Sequence, residues 1–208
     1  MKGKLFNFIS LALLLSSLPA VIGSYNASAQ KFAVKTNLLY DATATVTAGV
    51  EFKLADHWTL DILGNWNSWS KASDADPKTV DPKWMQKTIQ PQVRYFFKDA
   101  FKGHFVGLHA LTGTYTLGGT NLPFKIILTD FRNFKNKNFM GWCVGGGVGY
   151  GYAIRLGGHW NLELEASVGY LYFDYDFKHY SNGNVYDGVN THHYIGPTKL
   201  AISIAYLF

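Results

Sequence analysis

Hydrophobic and polar residues alternate along much of the chain, and the last eleven residues show this pattern without interruption. Successive side chains of a β-strand point to opposite faces, so a period of two predicts a strand with one apolar face. The apolar positions of this segment are Leu200, Ile202, Ile204, Tyr206 and Phe208. An uncovered apolar strand would invite pairing with other chains, so we expect this strand to lie in a closed sheet.

The same alternation predicts seven further strands, at about 32–40, 46–54, 58–66, 87–97, 104–117, 139–156 and 160–174. The connections after the second, fourth and sixth strands are short, whereas the segments 67–84, 118–138 and 175–193 are long and polar. Short turns at one end and long loops at the other are typical of small outer-membrane barrels. The sequence therefore predicts an all-β fold, an eight-stranded antiparallel up-and-down transmembrane β-barrel. A soluble barrel or sandwich with its polar face in water is the alternative.

The polar face of these strands carries charges of both signs. An eight-stranded barrel has an interior only wide enough for side chains, and charges buried there must be paired. We therefore expect an ion-pair network that fills the lumen, rather than a pore. The faces of the strand at 104–117 stay ambiguous, and Pro91 should mark a bulge or a weakly paired spot. The residues expected in the network are Lys35, Glu51, Lys53, Asp61, Arg94, Arg155, Glu163, Glu165 and Lys199.

The first residues have the order of a secretory signal. Lys2 and Lys4 precede an apolar run over 5–22, and Ala27-Ser28-Ala29 supplies small residues before a cleavage site. We expect residues 1–29 to be a signal peptide and residues 30–208 to form the outer-membrane barrel domain. An uncleaved N-terminal membrane anchor is the alternative. With an even number of strands, both termini would lie in the periplasm.

Charge and cysteine content exclude two classes of protein. The 19 basic residues lose Lys2 and Lys4 with the signal, which leaves 17 against 14 acidic residues and a net charge of +3. The basic residues are scattered, so no nucleic-acid partner is expected. The chain has a single cysteine, Cys143, so it cannot form an internal disulfide framework. We interpret Cys143 as a packed thiol.

Six segments in order along the chain resemble one family of proteins. They are KTNLLYD at 35–41, QPQVRY at 90–95, GHFVGLH at 103–109, GYGY at 149–152, WNLE at 160–163 and GPTKL at 196–200. Together they resemble a domain-of-unknown-function family of small Bacteroides-type outer-membrane β-barrels, similar in build to the OmpA membrane domain. The aromatic ending also resembles the membrane-insertion signal of such barrels, carried here by Leu200, Ile202, Ile204, Tyr206 and Phe208. The resemblance implies no catalytic residues, and some family members are encoded near fimbrial genes.

Two weaker patterns suggest chemistry in the segment 175–193. His179 and Ser181 are similar to the His-x-Ser-Asn run of outer-membrane lipid A deacylases, but no Glu follows Ser181 to complete such a site. A second set could in principle bind a metal ion, namely Asp187 with His179, His192 and His193. Adjacent histidines of a strand point to opposite faces, so solvated loop residues are the favoured interpretation. We therefore expect no metal. The glycines at 145–151 alternate inside a strand with no helix after them, so we expect no dinucleotide cofactor either.

The segment 118–138 is the best candidate for an interaction surface. It combines an apolar run over 122–128 with a basic end. Such a loop could attract lipopolysaccharide phosphates or dock a partner protein, whereas self-packing in solvent is the alternative. The residues concerned are Phe124, Lys125, Arg132, Lys135 and Lys137.

These patterns predict a non-enzymatic barrel of the Gram-negative outer membrane with a side-chain-filled lumen. Its role would be in envelope structure or in surface and fimbria-related interactions through the long extracellular loops. Expected partners are outer-membrane lipid and lipopolysaccharide, the barrel-assembly machinery during insertion, and a surface or fimbrial protein. A lipid-modifying hydrolase of the lipid A deacylase kind is the second interpretation, and a narrow channel is the third.

Overall fold

The computed structural model describes residues 30–70, 82–119, 125–126, 129–130, 137–181 and 184–208, and it describes 125–126, 129–130, 179–181 and 184–186 by their backbone alone. The chain divides into two units, Met1–Gln30 and Lys31–Phe208, and all described elements lie in the second. They are β1 (Phe32–Asn37), α1 (Leu38–Asp41), β2 (Val46–Lys53), β3 (Trp58–Ser70), β4 (Lys83–Phe96), β5 (Gly103–Gly118), β6 (Lys125–Ile126), β7 (Thr129–Asp130), β8 (Lys137–Gly157), β9 (Trp160–Ser181) and β10 (Asn184–Leu207).

Eight of these strands form one ring-closed antiparallel sheet. Their order around the ring is β1-β10-β9-β8-β5-β4-β3-β2, so each strand pairs with its neighbour in sequence and β1 closes the ring on β10. The closing ladder runs from Ala33 opposite Leu207 to Asn37 opposite Ser203. The short strands β6 and β7 pair with each other in a separate two-stranded sheet. The predicted all-β, up-and-down, eight-stranded architecture is confirmed.

The two ends of the barrel differ. The turn end carries the short connections 54–57, 97–102 and 158–159, as well as Phe208. The loop end carries α1 and the strand ends Ser70, Lys83, Gly118, Lys137, Ser181 and Asn184. Within the described part of the chain, no helix is long and apolar enough to cross a membrane.

The alternation seen in the sequence separates an apolar outer face from a polar inner face. Large apolar side chains on the outside remain open to the surroundings, with Leu108 66%, Val148 58% and Val168 58% exposed. In β5, whose faces were ambiguous, Val106 and Leu108 point outwards, and His109 points inwards. The polarity of this barrel is therefore the reverse of that of a soluble one, which buries its apolar residues.

Strand β1 is shorter than predicted, because the chain leaves the sheet at Asn37 and forms α1. The Asn37 side chain replaces the missing ladder: its Nδ2 donates to the carbonyl oxygen of Leu200 (3.3 Å), and its Oδ1 accepts from the backbone N–H of Ile202 (3.2 Å). The same Oδ1 accepts from Leu39 N at 3.2 Å and so caps the helix. Asp41 then ties α1 to β2, because its Oδ1 accepts from Thr47 N at 3.1 Å.

Strands β9 and β10 are longer than predicted. Of the segment 175–193, expected to be a polar loop, residues 175–181 and 184–193 continue the hairpin, with Tyr175 opposite Asn190 and Ser181 opposite Asn184. The expectation of a loop was wrong because polarity does not prevent backbone pairing. Aromatic side chains support the extension, since the rings of Phe139 and Tyr175 lie 5.4 Å apart edge to face.

Pro91 behaves as its missing N–H requires. It pairs with Ile62 of β3, whereas the ladder from β4 to β5 is interrupted between Gln92 opposite His109 and Ile89 opposite Thr112. The weakly paired spot expected at Pro91 is therefore present.

Candidate functional site

Among the residues that the structure describes, seven charged side chains meet inside the barrel, and together we call them the lumen network. They come from six strands around the ring, so the network crosses the whole lumen. Each side chain is at most 2% exposed. The cations are Lys35, Arg94 and Lys199, and the carboxylates are Glu51, Asp61, Glu163 and Glu165.

Arg94 is the centre of the lumen network. Its Nη1 lies 3.1 Å from Glu51 and 2.9 Å from Glu163. Its Nη2 lies 2.8 Å from both Asp61 and Glu165. A planar guanidinium with five donors suits such a position, because it can serve several carboxylates in fixed directions. One side chain of β4 thereby joins β2, β3 and β9.

Two neutral side chains hold the guanidinium in place. The Nε of Arg94 donates to Gln92 Oε1 at 3.3 Å, and its Cζ lies 4.7 Å from the centre of the Phe105 ring. Gln92 in turn donates from Nε2 to Glu165 at 2.6 Å. Glutamine and phenylalanine gave no charge signal in the sequence, so neither was expected in the site.

The two lysines close the network on either side of Arg94. Lys35 contacts Glu51 and lies 2.9 Å from Glu163 and 3.5 Å from Asp61. Lys199 lies 2.9 Å from Glu165 and 3.7 Å from Asp61. It also donates to Gln92 Oε1 at 2.8 Å. Each carboxylate therefore contacts at least two cations, which offsets the cost of removing these charges from water.

Lys53 and Arg155 were expected in the network, and both expectations were wrong. Lys53 lies at the end of β2 and donates to Asp56 Oδ1 at 3.0 Å in the turn that follows. This contact holds the pKa of the exposed Asp56 carboxyl below its usual value. Arg155 is exposed at the end of β8, where the ladder to β9 shifts its register before Gly157. Both positions follow the inward parity of their strands but lie beyond the part of the barrel that encloses a lumen.

Buried apolar side chains around Phe101 and Phe96 close the lumen at the turn end, and together we call them the apolar stopper. Phe101 has a positive φ of 66° in the turn 97–102, and its ring is buried against Ala33, Ala205 and Leu207. Asn161 Nδ2 donates to the Phe101 carbonyl oxygen at 2.6 Å and fixes this turn. Beside it, the rings of Phe96 and Phe105 pack with their centres 5.0 Å apart. A turn residue was not recognised as a core residue in the sequence, because the pattern of period two ends before it.

A layer of neutral polar side chains lies on the loop-end side of the lumen network. A hydrogen bond of 3.0 Å joins His109 Nε2 to the Thr198 hydroxyl, and Asn65 Nδ2 donates to the Thr88 hydroxyl at 2.9 Å. Cys143 is buried, as expected for a packed thiol. Among the described residues no cluster of His, Cys, Asp and Glu has the geometry to hold a metal ion.

The other predicted residues fall into two groups. The side chains of His179 and Ser181, and those of Phe124, Lys125, Arg132 and Lys135, lie outside the described residues, whereas Lys137 begins β8. Leu200, Ile202, Ile204, Tyr206 and Phe208 all share the outer face of the barrel wall, and the Phe208 ring stacks on Phe32 at 4.6 Å.

The fold and the lumen network together define a ring-closed eight-stranded β-barrel whose interior is occupied by paired charges. The chain belongs to the family described as "Protein of unknown function (DUF3575)", which it matches over residues 13–208. This confirms the expected membership of a domain-of-unknown-function family. No curated protein matches the chain.

Proposed function

We propose that this protein is a non-enzymatic transmembrane β-barrel of the Gram-negative outer membrane. Its lumen is sealed by side chains, and its loop end faces the exterior and serves envelope structure or contacts with surface partners, fimbrial proteins among them. Residues 1–29 act as the secretory signal, and the turn end lies in the periplasm.

One observation carries the proposal: the outer face of the wall is apolar while the charges are enclosed. In a bilayer, every backbone polar group must be paired within the protein, and a ring-closed sheet meets that condition because it has no free edge. Contiguous apolar surface of this kind is unusual on a soluble monomer and marks contact with a membrane or a partner. The lipid acyl chains are the surroundings that favour such a wall.

The aromatic side chains support a membrane of ordinary thickness. One belt surrounds the turn end, where Trp160 packs on Tyr206 at 4.9 Å. A second belt lies nearer the loop end, where Trp142 packs on Tyr172 at 5.8 Å. Twelve residues separate Trp160 from Tyr172 on β9. At ~3.3 Å per residue and a tilt of ~40°, the two belts lie ~30 Å apart, which leaves room between them for the apolar band, ~25 Å high, of outer-membrane barrels.

The lumen network and the apolar stopper support a closed barrel rather than a channel. A solute would have to displace Arg94 from four carboxylates, and Phe101 closes the turn end behind it. The hairpin of β9 and β10 continues for about nine residues beyond Tyr172, or ~30 Å along the strand. It therefore supplies a paired two-stranded extension outside the bilayer on which a partner can dock.

A pair of matched substitutions tests the membrane span. Val148 lies midway between the two belts on β8, whereas Val189 is 74% exposed on β10 beyond them. A lysine on the lipid face costs about 2–4 kcal/mol at the middle of a bilayer and about 0–1 kcal/mol near its surface. In phosphatidylcholine vesicles, Val148→Lys should lower the free energy of unfolding by the larger amount and Val189→Lys by the smaller. Equal effects, or a wild-type chain that stays monomeric in water without detergent, would refute the proposal.

A further inference from the structure

The outer wall of the barrel contains a groove of about 520 Å³, between β2, β3, β4 and β5. Its volume lies in the range of small-molecule sites. The register explains its shape, since Ala48 lies opposite Gly64, and Gly64 opposite Ile89, in one row across three strands. Small residues form the floor of the groove, whereas the neighbouring row, towards the loop end, carries Val46 and Trp66.

The loop-end side of the groove is bordered by a cation. Lys87 lies opposite Trp66, and its Nζ is 6.0 Å from the centre of the indole ring. Both side chains are exposed on the outer face. Tryptophan is typical of the level at which lipid headgroups begin. An ammonium group at that level, above an apolar groove, is complementary to a molecule with a negative head and a hydrocarbon tail.

We propose that this groove binds an anionic phospholipid-type molecule of the surrounding leaflet, with its phosphate on Lys87 and an acyl chain along Ala48 and Gly64. The inference rests on the proposed membrane span. The phosphate oxygens accept hydrogen bonds from Nζ, and Trp66 lies beside the glycerol or sugar region. The missing side chain of Gly64 leaves the depth that the acyl chain occupies.

The matched variants follow from the same geometry. Lys87→Gln removes the charge, and Lys87→Arg keeps it. Gly64→Ile fills the groove without backbone strain, because a Cβ at Gly64 would meet only the Ala48 carbonyl oxygen, at 3.7 Å. Lys178→Gln removes a cation on β9 near the loop end, and Ala166→Ile places the same isoleucine side chain on β9, away from the groove.

The experiment has two stages, so that two failures can be told apart. Flotation with pure phosphatidylcholine vesicles first tests whether the mature chain enters a bilayer at all. A chain that does not float refutes the membrane span, whereas the second stage concerns the groove alone. In that stage, each folded variant is equilibrated with phosphatidylcholine and phosphatidylglycerol at equal mole fractions. The retained lipids are then counted by native mass spectrometry.

We expect the wild-type protein and Lys87→Arg to retain phosphatidylglycerol about fivefold over phosphatidylcholine. That factor corresponds to the ~1 kcal/mol of one lysine at an anionic surface. Lys87→Gln should lower the ratio to about one, and Gly64→Ile should reduce retention of both lipids. Lys178→Gln and Ala166→Ile should behave as the wild type. The inference is overturned if the wild type shows no preference, if Lys87→Gln keeps it, or if Lys178→Gln loses it equally.

Discussion

Replacing Arg94 by methionine removes the centre of the lumen network without leaving a large void. Four carboxylates within 3.1 Å of the guanidinium would then share only Lys35 and Lys199. Removing one partner of a buried ion pair costs about 3–5 kcal/mol, because a charge is left uncompensated. The total stability of a domain is about 5–15 kcal/mol, so this one change should remove a large part of it.

Urea unfolding in phosphatidylcholine vesicles, followed by tryptophan fluorescence, measures the loss. Lys53→Met is the matched control, since it removes a cation that pairs with exposed Asp56 in the turn, and we expect no measurable change. The loss in Arg94→Met should also persist at high salt, because buried pairs are screened little. The reasoning fails if Arg94→Met and Lys53→Met unfold at the same urea concentration.

Three further predictions follow. Asn37→Ala should lower the free energy of unfolding by about 1–3 kcal/mol in the same assay, because two backbone groups of β10 lose their partners. Thr43→Ala, in the turn after α1, removes one exposed hydrogen bond to the Tyr40 carbonyl oxygen and should change it by much less, so equal midpoints would contradict the role given to Asn37. Phe101→Ala should cost about 3–5 kcal/mol through the cavity it leaves, and a loss below 1 kcal/mol would show that the stopper is not packed as described. Ser181→Ala should leave the acylation of lipid A in the host unchanged by mass analysis, and an added acyl chain would revive the hydrolase interpretation.

Much of the barrel could be predicted because a period of two is a direct consequence of strand geometry. Each member of the lumen network was named from the sequence, since a charge between apolar neighbours on a strand must face the other way. Lys53 and Arg155 satisfied the same parity and were wrong, because parity does not tell where a strand leaves the enclosed part of the barrel. The end of a strand depends on tertiary contacts that no local pattern contains.

The elements that were missed depend on single side chains with unusual roles. Asn37 ends β1 because its amide can pair with β10 as a backbone would, and nothing in the alternation of residues 32–40 marks that change. Phe101 lies in a turn at positive φ, a conformation in which an aromatic residue is uncommon. The strand β5 was ambiguous because Phe105 inside and Val106 outside are both apolar.

The seam between β1 and β10 has a consequence for the order of assembly. Asn37 and Ile202, which meet across it, are 165 residues apart along the chain. Closing a loop of that length costs much conformational entropy, so the ladder between β1 and β10 should form last. In the open sheet Lys35 would stay beside Glu51, but Glu163 would lack both Lys35 and Arg94. Glu165 would keep Lys199, because β9 and β10 are adjacent. Closing the ring and pairing Glu163 with its cations are therefore one event, so a half-closed barrel leaves a carboxylate uncompensated.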